Sequence, residues 1–86
     1  MQHSITKEAF GYIKIAEIYT GNKFTETATN YINRAIDKLK VYKIITRYKR
    51  VIQALNNAIE YLKIFAYNAA LSCLRYSKDK LTQKIN

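Results

Sequence analysis

Between Val41 and Tyr76 an apolar residue recurs every three or four positions: Val41, Ile45, Tyr48, Ile52, Leu55, Ile59, Leu62, Ala66, Ala69, Cys73 and Tyr76. A mean period of about 3.5 residues keeps one seam of an α-helix turned toward a partner helix. Proline is absent and no glycine follows Gly21, so no residue in this stretch breaks a helix by its own backbone. The row therefore restricts the chain to folds in which helices pack on helices.

Two helices precede it. Residues 5–20 carry Ile5, Ala9, Tyr12, Ile13, Ala16 and Tyr19 on one face, with Ser4 placed to accept an orphan N–H as N-cap. Gly21-Asn22 follows, a pair that tolerates the left-handed conformation at a helix end. A second helix starts near Lys23, with Phe24, Ala28, Tyr31, Ala35, Leu39 and Tyr42 facing inward and Ile32 and Ile36 beside them. The short connection makes helices one and two an antiparallel hairpin. Around Leu39 to Ile45 the apolar phase shifts, which places a break near Ile45-Thr46.

The third helix reads from Arg47 to Ser77, about 45 Å at 1.5 Å per residue. Val51, Ala58 and Phe65 widen its stripe beyond a coiled-coil seam, which favours a globular bundle. From Ile59 to Leu74 it is apolar on nearly every side, the pattern of a helix covered all round. The expected fold is thus all-α: one domain over 1–86, an antiparallel three-helix bundle with a long third helix. A second row, Tyr67, Leu71, Leu74, Leu81 and Ile85, keeps open a four-helix bundle with a break between Asn68 and Ser77.

Helices one and two cover only part of such a third helix. A second copy of the chain is the expected cover, giving a homodimer through Ile59, Leu62, Phe65, Ala66, Ala69 and Cys73. Cys73, the single cysteine, reads as a small buried hydrophobe, compatible with a reducing, intracellular (cytoplasmic) setting. The start Met-Gln-His-Ser has no basic region followed by an apolar core, so no secretory leader is expected. The most apolar window, Ile64 to Leu74, falls short of the roughly 20 residues a bilayer requires.

Material for catalysis is sparse. His3 is the only histidine, and Glu8, Glu17, Glu26, Asp37, Glu60 and Asp79 are scattered singly. No zinc-ligand spacing, phosphate loop or nucleophile–base pair is present. The expectation is a non-enzymatic protein with no cofactor and no metal.

Fifteen Lys and Arg against six Asp and Glu give a net charge of +9, which favours an acidic protein, a nucleic acid or an anionic surface as partner. On an unbroken helix Lys40, Lys43, Arg47 and Arg50 would share one outward face, interleaved with Tyr42 and Tyr48. Such a face can neutralise phosphates and stack bases without reading sequence, or it can simply solvate a helix.

The segment "EAFGYIKIAEIYTGNKFTETATNYINRAIDKLK" resembles the first two helices of MIT (microtubule-interacting-and-transport) domains and, more loosely, a tetratricopeptide helical pair. Ala9, Ala16, Gly21, Phe24, Ala28, Tyr31, Ala35 and Ile36 carry the likeness, and "ALNNAIEYLKIF" is similar to the third MIT helix. The resemblance implies a three-helix bundle that binds helical or extended tails of ESCRT filament proteins in grooves between helices. Small basic bundles also serve as bacteriocin immunity proteins and as viral or plasmid adaptors. The functional expectation is a helical protein–protein interaction or adaptor module that self-associates, with a sequence-tolerant nucleic-acid binder as the alternative.

Overall fold

A computed structural model describes residues 2–41 and 46–85, with the side chains of 4–41 and 48–82. Among the described residues four helices follow one another: α1 (Gln2–Gly21), α2 (Thr25–Lys40), α3 (Thr46–Lys63) and α4 (Tyr67–Ile85). Helix α1 packs on α2, α2 on α3, α3 on α4, and α4 returns to α1, closing a ring of antiparallel neighbours 34 × 19 × 18 Å in extent. The expected three-helix bundle is therefore corrected to four. The long third helix ends at Lys63, and the break falls at residues 64–66, ahead of the interval 68–77 to which the four-helix alternative assigned it. Ser4 lies inside α1 rather than capping it.

The reason is the turn itself. Phe65 adopts φ 61°, the left-handed region, in place of the glycine or asparagine that usually marks a helix end. Its N–H donates to Leu62 O at 3.0 Å, and Ala66 N–H donates to Tyr61 O at 2.9 Å. This is a Schellman turn, which satisfies the last carbonyls of α3. The α1–α2 turn repeats it: Lys23 N–H donates to Thr20 O (3.0 Å) and Phe24 N–H to Tyr19 O (2.9 Å). The left-handed residue there is Lys23, at φ 65°, not the Gly21-Asn22 pair expected from the sequence.

These two turns are one turn used twice, 42 residues apart, and the same offset organises the whole molecule. The hydroxyls of Thr6 and Tyr48 are hydrogen-bonded at 2.6 Å with a separation of 42, and those of Thr25 and Tyr67 at 3.0 Å with the same separation. A residue that touches its own counterpart lies on a two-fold axis. Here that axis runs along the bundle, relating the α1–α2 hairpin to the α3–α4 hairpin, with one hydroxyl pair toward each end.

The core obeys the same relation. Ile13 and Leu55, Ile32 and Leu74, Leu39 and Leu81 are counterparts, and all are fully buried. So are Ala16 and Ala58, and Ala28 and Ala70, whose small side chains let the helices approach closely. One exchange is informative. Glu17 pairs with Lys78 at 2.6 Å between α1 and α4, whereas their counterparts between α2 and α3 are Ile59 and Ile36, both part of the apolar core.

Leu62 is buried where its counterpart is Thr20, whose hydroxyl oxygen is buried with no hydrogen-bond partner among the described residues. Thr20→Val removes that uncompensated group at similar volume. It is expected to raise stability by about 1 kcal/mol in urea unfolding, and a loss would show that the hydroxyl is satisfied in solution.

Candidate functional site

Because the two hairpins share a backbone, each is a reference for the other. Where the α1–α2 hairpin is finished with its own side chains, the α3–α4 hairpin differs at two places.

The first is the turn. Asn22-Lys23 is replaced by Ile64-Phe65, and both Ile64 and Phe65 are 69% exposed. The same Schellman backbone is made with two polar residues in one copy, so it does not demand two large apolar ones in the other. Holding a bulky residue in the left-handed region costs about 1–2 kcal/mol, and exposing its ring forgoes the burial that ordinarily accompanies an aromatic. Exposed Phe24 belongs to the first turn at this same end of the bundle. A hollow lined by Lys23, Phe65, Ala66, Tyr67, Asn68 and Ala69 lies between the turns, with the rings of Phe65 and Tyr67 6.4 Å apart.

The second difference is a groove of about 520 Å³ between α3 and α4, lined by Arg50, Gln53, Ala54, Asn57, Ser72, Cys73 and Tyr76. Along the corresponding face of the first hairpin runs an aromatic ladder. Tyr12 and Tyr31 have ring centroids 6.2 Å apart, Tyr31 stacks on Tyr19 at 5.9 Å, and Tyr19 meets Phe24 edge-on at 6.1 Å. The counterparts of Tyr12 and Tyr31 are Ala54 and Cys73, which form the floor of the groove. Partial burial pushes the Cys73 thiol above its ordinary pKa, so it is a poorer nucleophile at neutral pH than a free thiol.

Charge differs in parallel. Glu8 on α1 pairs with Lys38 on α2 at 3.0 Å, and this hydrogen bond and charge raise the pKa of the Lys38 ammonium. The counterpart of Glu8 is Arg50 and that of Lys38 is Lys80. Among the described residues neither has an ion-pair partner; Lys80 instead sits over the ring of Tyr76, 5.5 Å from its centroid.

The residues singled out from the sequence are redistributed by this fold. Lys40 ends α2 and is exposed, Arg50 lines the groove on α3, Arg47 lies in α3 with its side chain outside the described residues, and Lys43 is outside them altogether. Of the two whose side chains are described, Lys40 ends α2 and Arg50 lies in α3, separate helices packed on each other. Of the surface assigned to self-association, Leu62 is core and Ile59 packs against it. Phe65 is exposed at the turn, Ala66 and Ala69 are half-buried beside it, and Cys73 floors the groove. Ile64, Gln53, Asn57, Ser72 and Lys80 were not anticipated as site residues. The signal that finds them is the internal copy, announced by Asp37-Lys38-Leu39 recurring as Asp79-Lys80-Leu81.

Among the described residues no helix is long and apolar enough to cross a membrane. Comparison with protein-family models, curated proteins and solved structures finds no match, so nothing there bears on the MIT or tetratricopeptide resemblance.

Proposed function

We propose that this chain is a non-enzymatic helical interaction module that docks onto a partner protein through its α3–α4 hairpin. One observation carries the reading: two turns of the same backbone, one closed with Asn22-Lys23 and the other with exposed Ile64-Phe65. A left-handed, solvent-facing phenylalanine is unfavourable for the isolated molecule. Its burial against a partner would recover the apolar area that folding leaves exposed. Of the acids, Glu8, Glu17 and Glu60 are engaged with Lys38, Lys78 and Lys63, which further favours binding over chemistry.

The partner is acidic in this reading. Two copies of a chain at +9 repel each other, whereas an acidic protein is drawn to it. The decisive variant gives the second turn the first turn's residues, Ile64→Asn with Phe65→Lys. It is expected to keep the helical circular dichroism of the parent. A partner identified by cross-linking in cells and then purified should bind the parent and lose about tenfold or more in affinity for the variant. Equal affinity would overturn the reading. A sedimenting dimer abolished by the same variant would replace the acidic partner with a second copy.

A further inference from the structure

We propose that the groove between α3 and α4 binds an acidic protein segment, seating one aromatic side chain on Ala54 and Cys73 and a carboxylate against Arg50 and Lys80. The inference rests on the interaction-module reading and names the chemistry of the partner.

The argument is a subtraction of one hairpin from the other. At the place where Ala54 and Cys73 leave a groove of about 520 Å³, the first hairpin holds the rings of Tyr12 and Tyr31. Where Arg50 and Lys80 stand without an acid, the first hairpin holds the Glu8–Lys38 pair. At positions 54 and 73 the second hairpin thus lacks the rings of the first, Tyr76 standing where the first has Arg34, and at position 50 it lacks the carboxylate of Glu8. A partner that brings both completes the pattern that the first hairpin completes internally.

The lining fits that occupant. Apolar Ala54 and the Cys73 thiol offer a floor for a ring, and Tyr76 offers a wall. Gln53, Asn57 and Ser72 supply donors and acceptors along the rim, where the first hairpin has Gly11, Ile15 and Asn30. A polar rim around an apolar floor orients a bound segment through its backbone amides. The Arg50 guanidinium can hold a carboxylate through two parallel N–H donors, and the Lys80 ammonium adds a second positive charge nearby. No acidic side chain lines the groove to repel the incoming one.

The probe is a fluorescein-labelled hexapeptide of glutamates around a single tyrosine, read by anisotropy against the full chain. Tyrosine-to-alanine and glutamate-to-glutamine versions of the peptide are each expected to bind about tenfold or more weakly. Two variants of the protein copy the first hairpin. Ala54→Tyr with Cys73→Tyr fills the groove, and Arg50→Glu supplies Lys80 with an internal partner. Both should melt at or above the parent temperature and lose the peptide by a similar factor. Bound peptide should also slow alkylation of Cys73 by iodoacetamide in the parent.

Indifference of binding to the tyrosine, or unchanged binding by the filled groove, would overturn the proposal. So would a single-stranded oligonucleotide that binds the parent more tightly than the peptide and is lost in the same variants. Failure here is separable from failure of the wider reading. If the Ile64→Asn, Phe65→Lys chain loses its protein partner while the groove variants keep it, the module stands and the groove assignment falls.

Discussion

Leu62→Glu is expected to leave the chain unfolded, while Phe65→Glu, in the adjoining turn, is expected to leave its helical circular dichroism intact. From the sequence the two residues look alike, both members of one apolar surface. In the structure Leu62 has no exposed area and Phe65 has 69%. A glutamate at 62 forfeits about 2–5 kcal/mol of leucine packing and adds the cost of burying a carboxyl without a partner. A domain of this size has roughly 4–13 kcal/mol of total stability, so the fold has little reserve against that sum. At 65 the charge faces water, and only the partner surface is affected. Far-UV spectra of the two purified variants decide the matter: a folded Leu62→Glu chain would contradict the placement of that residue in the core.

The second large effect tests the two-fold relation. Leu39→Ala and Leu81→Ala remove fully buried counterparts, one from each hairpin. Each is expected to cost about 2–5 kcal/mol in urea unfolding, and the two losses should be similar because the sites are lined by counterpart residues. Both should shift one cooperative transition that carries all four helices. Two separate transitions, with only one displaced by each substitution, would mean that the hairpins hold together independently.

Helical content and most of the inward faces of α1 and α2 follow directly from spacing: Ala9, Ile13, Ala16, Ala28, Ala35 and Leu39 are buried as their periodicity implies, whereas Phe24, expected inward, sits in the turn and is 57% exposed. The break after Lys63 is not legible in the same way. Apolar residues continue across it at 3.5-residue spacing, and the turn depends on a left-handed phenylalanine that no turn-forming residue announces. Beyond the break the buried face is Ala70, Leu74, Ser77 and Leu81, so the row through Ala66, Ala69, Cys73 and Tyr76 continues in letters but not on the core side. Ser77 is the clearest case: its hydroxyl donates to the Cys73 carbonyl at 2.9 Å, which lets a polar residue take a fully buried position where its counterpart is Ala35.

The site was less legible than the fold because its meaning is comparative. Ala54 and Cys73 are unremarkable helix residues until Tyr12 and Tyr31 are set beside them, and Arg50 and Lys80 are two cations among many until Glu8 and Lys38 show what that place otherwise holds. Low identity between the halves conceals the relation, since packing preserves size and burial at Ile13 and Leu55 or Ile32 and Leu74 rather than the residue itself.

The hydroxyl pairs on the axis also bear on which contacts are local and which join the halves. Each hairpin closes over a short turn and assembles from contacts near in sequence, so its formation belongs to the fast end of folding times. Thr6 with Tyr48, and Thr25 with Tyr67, join opposite hairpins and form only when the two halves dock. The two halves are therefore tied to each other toward both ends of the bundle, on the line where each half meets its own image.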